Sequence, residues 1–378
     1  MSDDEEIYPI GVELGSHTLR IGICGEEGPR HQFPNCFGTD GENTLIGKDD
    51  FETRIDYQLT YPFRRGLLKN ETDWDKVEKI LDYAFVKLKC SPESYPFVCI
   101  EKVLNKDKNN SFRKKMAEIL FEKYGCPSFL IIPSEIGITT SCGKFDGLGI
   151  DLGYSTFEIC PVISGKNPYP KSVTDKIKVL DFAGEDLISY NAKYLVDNKI
   201  KVIWVMRNLV GQNILEKGCY VAENYSTEIN SVSSHKVDLP DDKSIEIKDL
   251  RINCPEIMFN PSLINKTCDS LPDAIINVVE SFSSSADKEL LYKSICLGGG
   301  LSKLKGLRER LTRSLKEKAP ANMKDKIDVK DEGYPSEQLN WIAMSILSQM
   351  PPIKEKAISK KEYNENGASI LDKKLIYF

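Results

Sequence analysis

Histidine is scarce in this chain, with three among 378 residues. The eleven cysteines stand singly in apolar surroundings, as at Cys24, Cys99, Cys160 and Cys296, and form neither a CxxC pair nor a cysteine–histidine cluster. A structural zinc site needs such ligands at close spacing, so none is expected. Scattered in this way, the cysteines read as buried reduced thiols acting as small apolar groups. No stretch approaches the roughly 18–20 apolar residues of a membrane-spanning helix. The start, Met1-Ser2-Asp3-Asp4-Glu5-Glu6, lacks the basic and then apolar profile of a signal peptide. The expectation is therefore an intracellular protein without a membrane anchor. A basic excess is also missing: 51 Lys and Arg stand against 57 Asp and Glu, a net charge of −6. That balance disfavours a dedicated nucleic-acid surface. The local basic runs, Arg113-Lys114-Lys115 and Lys354 to Lys361, read as solvated faces, with a partner-binding surface as the alternative.

What is present is length and repetition. At 378 residues the chain exceeds the size at which one hydrophobic core stops growing, so two lobes are expected. Two segments repeat each other at a constant offset. Gly11-Val-Glu-Leu-Gly-Ser-His-Thr-Leu-Arg-Ile21 matches Gly149-Ile-Asp-Leu-Gly-Tyr-Ser-Thr-Phe-Glu-Ile159. Each reads as an alternating strand ending on an acidic residue, a Leu-Gly turn, and a second strand, which is a β-hairpin pattern. A Gly-containing turn exposes backbone N–H groups that can face an anion. Two such hairpins facing each other would clamp a polyphosphate, and Glu13 and Asp151 would reach a hydrated Mg²⁺ through its waters. Two unrelated hairpins in a mixed α/β protein remain the plainer reading at this point.

A third Gly-rich element is Ile295-Cys-Leu-Gly-Gly-Gly300, an apolar strand running into three glycines. Leucines at 301, 304, 307, 311 and 315 then recur at helical spacing and predict a helix over 301–315. Strand, glycines, helix is a sequence that lets backbone approach a nucleotide closely.

These segments, taken in order, resemble actin and the actin-related proteins over nearly the whole chain. Gly11 to Gly25 is similar to the family's first phosphate loop, and Gly149 to Pro161 to its second. The resemblance continues through Tyr61-Pro-Phe-Arg-Arg-Gly66 with Trp74 to Phe85, then through the helical pattern of Phe112 to Tyr124. It extends to Leu180-Asp-Phe-Ala-Gly-Glu-Asp-Leu187, Glu216-Lys-Gly-Cys-Tyr-Val-Ala222, Leu239-Pro-Asp-Asp to Phe259-Asn-Pro-Ser262, and Ile358 to Gly367. It implies ATP or ADP with Mg²⁺ as cofactor. Carried over residue by residue, it puts Gly15, Ser16, His17, Arg20, Gly153, Tyr154 and Ser155 at the phosphates. Glu216, Gly298, Gly299 and Gly300 fall at the nucleoside, and Glu13 and Asp151 at the metal.

The departures from the family pattern are as informative as the matches. The stretch between Phe37 and Tyr61, where actins carry a longer loop that grips the next filament subunit, is short. It bears Asp40, Glu42, Asp49, Asp50, Glu52 and Asp56 against Lys48 and Arg54. The water-orienting Gln of the family aligns with Pro133, which has neither side-chain amide nor N–H. A neighbouring His aligns with Glu158. Arg20 stands for the phosphate-meeting Lys, Tyr154 for an acid at the ribose, and Glu337 for a Lys near the adenine, while Glu216 is retained. No catalytic residue is assigned, and efficient ATP hydrolysis is not expected.

The resemblance implies an α/β fold, duplicated and two-lobed, with four subdomains around a central nucleotide cleft and a five-stranded mixed sheet in each lobe. Subdomain 1 is expected at 1–37, 60–147 and 338–378, a shortened subdomain 2 at 38–59, subdomain 3 at 148–182 and 262–337, and subdomain 4 at 183–261. The hinge is expected at Ser134 to Ser141 and near Glu337. The favoured function is a non-polymerising, ATP-binding structural subunit of a larger complex, chromatin-remodelling or cytoskeletal, in the nucleus or the cytoplasm. Its partners would be other protein subunits, actin among the candidates, and neither nucleic acid, membrane nor a homofilament. One alternative is a divergent filament-forming ATPase, which the short loop and Pro133 oppose. The other is a sugar-kinase or heat-shock-type ATPase of the same duplicated core, opposed by the matches at Leu239-Pro240-Asp241 and at Tyr363 and Gly367.

Overall fold

Both hairpins form, and each becomes the middle of a sheet. The computed structural model describes residues 7–39, 44–46, 58–68, 70–102, 111–165, 172–202, 207–238, 244–330 and 335–374. The charged residues of the acidic loop, Asp40 to Asp56, and the segment Leu239 to Asp242 lie outside these. In the first hairpin Ile10–Leu14 runs antiparallel to Thr18–Ile23, with Glu13 opposite Arg20. In the second Gly147–Leu152 runs antiparallel to Phe157–Val162, with Asp151 opposite Glu158. The repeat extends to the turns, where Gly15 N donates to Thr18 O at 3.1 Å and Gly153 N to Thr156 O at 2.9 Å.

A parallel strand then joins each hairpin. Phe97–Glu101 pairs with Ile10–Leu14 in the first half, and Ile295–Gly298 with Gly147–Leu152 in the second. Ile10–Leu14, Phe97–Glu101, Gly147–Leu152 and Ile295–Gly298 are buried along their full length, as expected for sheets covered by helices on both faces. Five strands were expected in each lobe, but among the described residues the first sheet has six and the second four. The first gains a short edge strand, Ile358–Ser359, which returns from the C-terminal region to pair with Ser128–Pro133. In the second, the outer position is held only by an isolated bridge from Ile295 to Val329.

Two further expectations need correction. The helix read over 301–315 begins at Leu307 and runs to Lys318. Gly299 and Gly306 adopt φ of +87° and +82°, a left-handed backbone incompatible with continuous helix. Leu301 and Leu304 are nevertheless buried, in turns rather than on a helix face. The apolar period of Phe112 to Tyr124 is helical throughout, but Ser111–Glu118 is α-helix and Ile119–Lys123 a wider π turn.

The joint between the halves has a core of its own. Helix Ser134–Ser141 follows the strand Ser128–Pro133 and packs beside helix Leu339–Leu347. The Ser141 hydroxyl donates to Leu339 O at 2.7 Å. Val98, Ile100 and Leu130 from the first half, Val162 from the second, and Trp341, Ile342 and Met344 from the helix pack as one apolar cluster. Trp341 is fully buried and its indole N–H donates to Gly11 O at 3.1 Å, tying the helix to the central strand. Trp341→Ala is therefore expected to destabilise the protein by about 3–5 kcal/mol, as do other large-to-small core changes. Urea unfolding followed by circular dichroism measures it, and a loss within experimental error would contradict this role for the helix.

Candidate functional site

The two hairpin turns face each other across a cavity of about 1580 Å³, more than the roughly 300–1,000 Å³ of ordinary ligand pockets. Its lining includes Glu13, Gly15, Ser16, His17, Arg20, Asp151, Gly153, Tyr154, Ser155, Glu216, Gly299, Gly300 and Glu337, all singled out from the sequence. Gly298 is not among them. It ends its strand beneath the hinge helix, and a Cβ there would lie 2.8 Å from Ile138. Gly299 turns the backbone toward the cavity, and a Cβ on it would come within 2.5 Å of Asp151 Oδ1.

The turns are pinned through their carbonyls. Asn35 donates to Gly15 O from its side chain and to His17 O from its backbone, both at 2.7 Å. On the other side the amides of Gly184 and Glu185 donate to Gly153 O and Tyr154 O at 3.2 and 2.7 Å. Gly15 and Gly153, expected to offer their amides to an anion, use them inside the turns. Ser16, His17, Tyr154 and Ser155 hold the turn amides that have no backbone acceptor among the described residues. The buried Ser155 hydroxyl also has no partner among those residues.

Charge at the cleft floor is balanced within the protein. Arg20 donates to Glu13 at 3.0 Å, both side chains buried. Opposite Asp151 the duplication puts Glu158, so the hairpin cannot neutralise itself. A residue that the motif reading missed does so: Lys102, just past the strand Phe97–Glu101, forms an ion pair with Asp151 Oδ2. Asn340 donates to the same oxygen at 3.2 Å. Burial pulls the Lys102 ammonium down, but Asp151, Glu13 and Glu158 outweigh it and keep the group charged. One sequence signal pointed to Lys102: it is a basic residue at the carboxyl end of a buried parallel strand, where α/β proteins gather ligand-binding groups.

The cleft mouth is aromatic. The His17 ring lies 4.9 Å from that of Tyr154 and 5.9 Å from that of Tyr61. Burial holds the His17 imidazole below its ordinary value, against the pull of Glu216 and Gln212. His17 thus faces the cavity as a neutral ring rather than as a phosphate-binding cation. Glu216 lines the cavity and accepts from Gln212 at 2.9 Å. Pro133 does not line the cavity; it ends its strand and caps the hinge helix. Among the described residues no group of His, Cys, Asp and Glu could hold a metal by itself, and no helix is long and apolar enough to cross a membrane. Eight of the eleven cysteines are buried, and Cys90, Cys142 and Cys268 are partly exposed.

Paired hairpins around a cleft, each backed by a parallel strand and joined through the packed helices Ser134–Ser141 and Leu339–Leu347, define a duplicated ATPase-type α/β fold. The family model for actin matches residues 4–376, and the chain belongs to the actin family. Members of that family generally bind a nucleotide together with a divalent metal. In this chain both carboxylates expected at the metal already carry a protein cation, Arg20 on Glu13 and Lys102 on Asp151 Oδ2, so a divalent ion here would have to face or displace those cations; of the Asp151 oxygens, Oδ1 is without a partner among the described residues.

Burial pushes the Glu158 carboxyl up to about 7 from an ordinary 4.5, with Lys102 and the Thr156 hydroxyl opposing the rise and Asp151 and Glu135 adding to it. The folded protein therefore holds more protons at this site than the unfolded chain, and stability falls as pH rises through that interval. Glu158→Gln is expected to raise the melting temperature at about pH 8 and to lose that advantage near pH 5. Thermal melts of both proteins across pH check it; an equal difference at both ends would rule out Glu158 as the titrating group.

Proposed function

We propose that this chain is a nucleotide-holding member of the actin family that hydrolyses its ligand slowly, builds no filament of its own, and serves as a structural subunit of a larger hetero-complex. The observation that carries the reading is the cleft: both hairpins line one cavity large enough for an adenine nucleotide, yet no side chain at Pro133 can orient water. Glu158 does not replace the missing group, since Thr156 donates to it at 2.9 Å within the buried hairpin. The four-subdomain division belongs to the same reading, with the short sheet of Phe37–Thr39, Thr44–Leu45 and Gln58–Thr60 in subdomain 2.

Filament growth repeats one head-to-tail contact, and it propagates only when both faces are intact. A short loop with the acidic excess of Asp40 to Asp56 offers poor apolar surface for that contact. The face at the other end of the molecule can still take one partner, so a single copy within a hetero-complex, or one that caps an actin filament, is consistent with this surface. A nuclear or a cytoplasmic complex suits the reading equally.

Under ionic conditions that polymerise actin, the purified protein is expected to stay in the supernatant on sedimentation and to show no filaments by negative-stain microscopy. Pelletable two-stranded filaments would instead favour a divergent filament-forming ATPase. Phosphate release in a single turnover is expected to be about 10²–10³ slower than in actin, the usual effect of losing one preorganised polar group. Pro133→Gln alone is not expected to restore it, since Glu158 and Tyr154 also depart from the pattern. An actin-like rate in the unmutated protein would sink the slow-hydrolysis reading.

A further inference from the structure

The cation at the cleft floor identifies how this chain meets a polyphosphate. Glu13 and Asp151 supply two negative charges, and Arg20 and Lys102 return two positive ones through direct ion pairs. These four charges cancel before any ligand enters, and the remaining acid beside them, Glu158, adds no positive charge that a metal could replace. A hydrated divalent ion placed between these carboxylates would lose their attraction and face an ammonium and a guanidinium instead.

Lys102 is also built in. Its side chain is 18% exposed and lines the cavity. The strand Phe97–Glu101 that delivers it is wholly buried, and Glu101 within that strand is clamped by Arg113, whose Nε and Nη2 donate to it at 3.0 and 2.6 Å. Asn340, from the hinge helix, steadies the Asp151 oxygen that the ammonium meets. An ammonium has three N–H donors, and Asp151 Oδ2 is the acceptor of one. The cavity side of the group remains for anionic oxygens, in the same cavity that Ser16, His17, Tyr154 and Ser155 line.

We infer that Lys102 is the counter-cation of the bound nucleotide, so that this chain holds a nucleoside di- or triphosphate without a divalent metal. The inference rests on the cleft being a nucleotide site, and it assigns the site's ligand as the metal-free form. A fixed monovalent group takes the place of an exchangeable divalent one, and chelators no longer strip the ligand.

The test is ADP binding to the full-length protein, by calorimetry and by thermal shift, with EDTA and separately with excess Mg²⁺. The unmutated protein is expected to bind ADP with an affinity that differs by less than about threefold between the two buffers, under half of the 1.4 kcal/mol that a tenfold change represents. In Lys102→Ala and Lys102→Met, binding in EDTA is expected to weaken by at least about tenfold, and Mg²⁺ to restore much of it, because the freed Asp151 accepts the ion. Mn²⁺ titration without nucleotide gives a second readout: no site in the unmutated protein, a site in the variants. ADP binding that requires Mg²⁺ in the unmutated protein overturns this inference and leaves the nucleotide reading standing. Absence of ADP and ATP binding in every buffer overturns both. The unmutated arms need no variant, so poor folding of Lys102→Ala cannot mask the outcome.

Discussion

Two carboxylates meet at the middle of this molecule because the duplication puts them at the same register of two hairpins. Burying an ion costs several kcal/mol even after the protein relaxes around it, and that cost is offset only by close partners. The first hairpin solves this locally, since Arg20 lies directly across the ladder from Glu13. The second cannot, because Glu158 lies across from Asp151. Neutralisation has to come from elsewhere, and it comes from the end of the neighbouring lobe's strand, through Lys102, and from the hinge helix, through Asn340. The second hairpin's lack of a cation of its own is thus met by a contact that ties the two halves together at the floor.

The joint follows from the same requirement. Helix Leu339–Leu347 has to deliver Asn340 to Asp151 and Trp341 to Gly11 at once, which places it between the sheets. Ser134–Ser141 then packs beside it, with Gly137 close enough that a Cβ would stand 3.1 Å from Asn340 Oδ1. A bulkier residue there would press on the group that steadies the floor. Packing at the joint and electrostatics at the floor are thus one arrangement viewed from two sides.

The hairpins were legible because local signals agreed: alternation, an acidic residue, and a glycine where the chain reverses. The duplication made the cleft legible as well, since two turns of one design suggested a shared cavity, and both turns line it. Position 301 was misread because leucine spacing is the same in a helix and in a buried turn, and the decisive fact was the left-handed backbone at Gly299 and Gly306. The amides of Gly15 and Gly153 were misassigned because a motif does not say which N–H a turn keeps for itself. Lys102 was missed for a different reason. Its partner, Asp151, is distant in sequence, and the place of Lys102 at the end of a buried parallel strand signals a ligand-binding position without saying which charge the assembled sheets bring to meet it. His17 was placed at the cavity, but its neutral state depends on Tyr61 and Tyr154 closing over it, which is a tertiary fact.

A second tie joins the halves at the mouth of the cleft. Arg65 and Gly66 hold φ of 51° and 76° in a tight turn closed by reciprocal bonds between Arg64 and Leu67. Arg65 Nη1 donates to Asp186 Oδ2 at 2.6 Å, Nη2 donates to Oδ1 at 3.0 Å, and Nε lies 2.6 Å from Glu185 Oε1. Asp186 is held in place because it also accepts from the Ala183 amide at the start of its helix. Unlike the floor, this contact is 55% open to solvent on the arginine side. Dissolved ions screen charges in such positions over a Debye length of about 8 Å at physiological ionic strength, and they reach a buried pair far less. The halves are thus joined by one ion pair that salt screens and one that it reaches far less, so added salt is expected to weaken the Arg65 contact before the Lys102 contact.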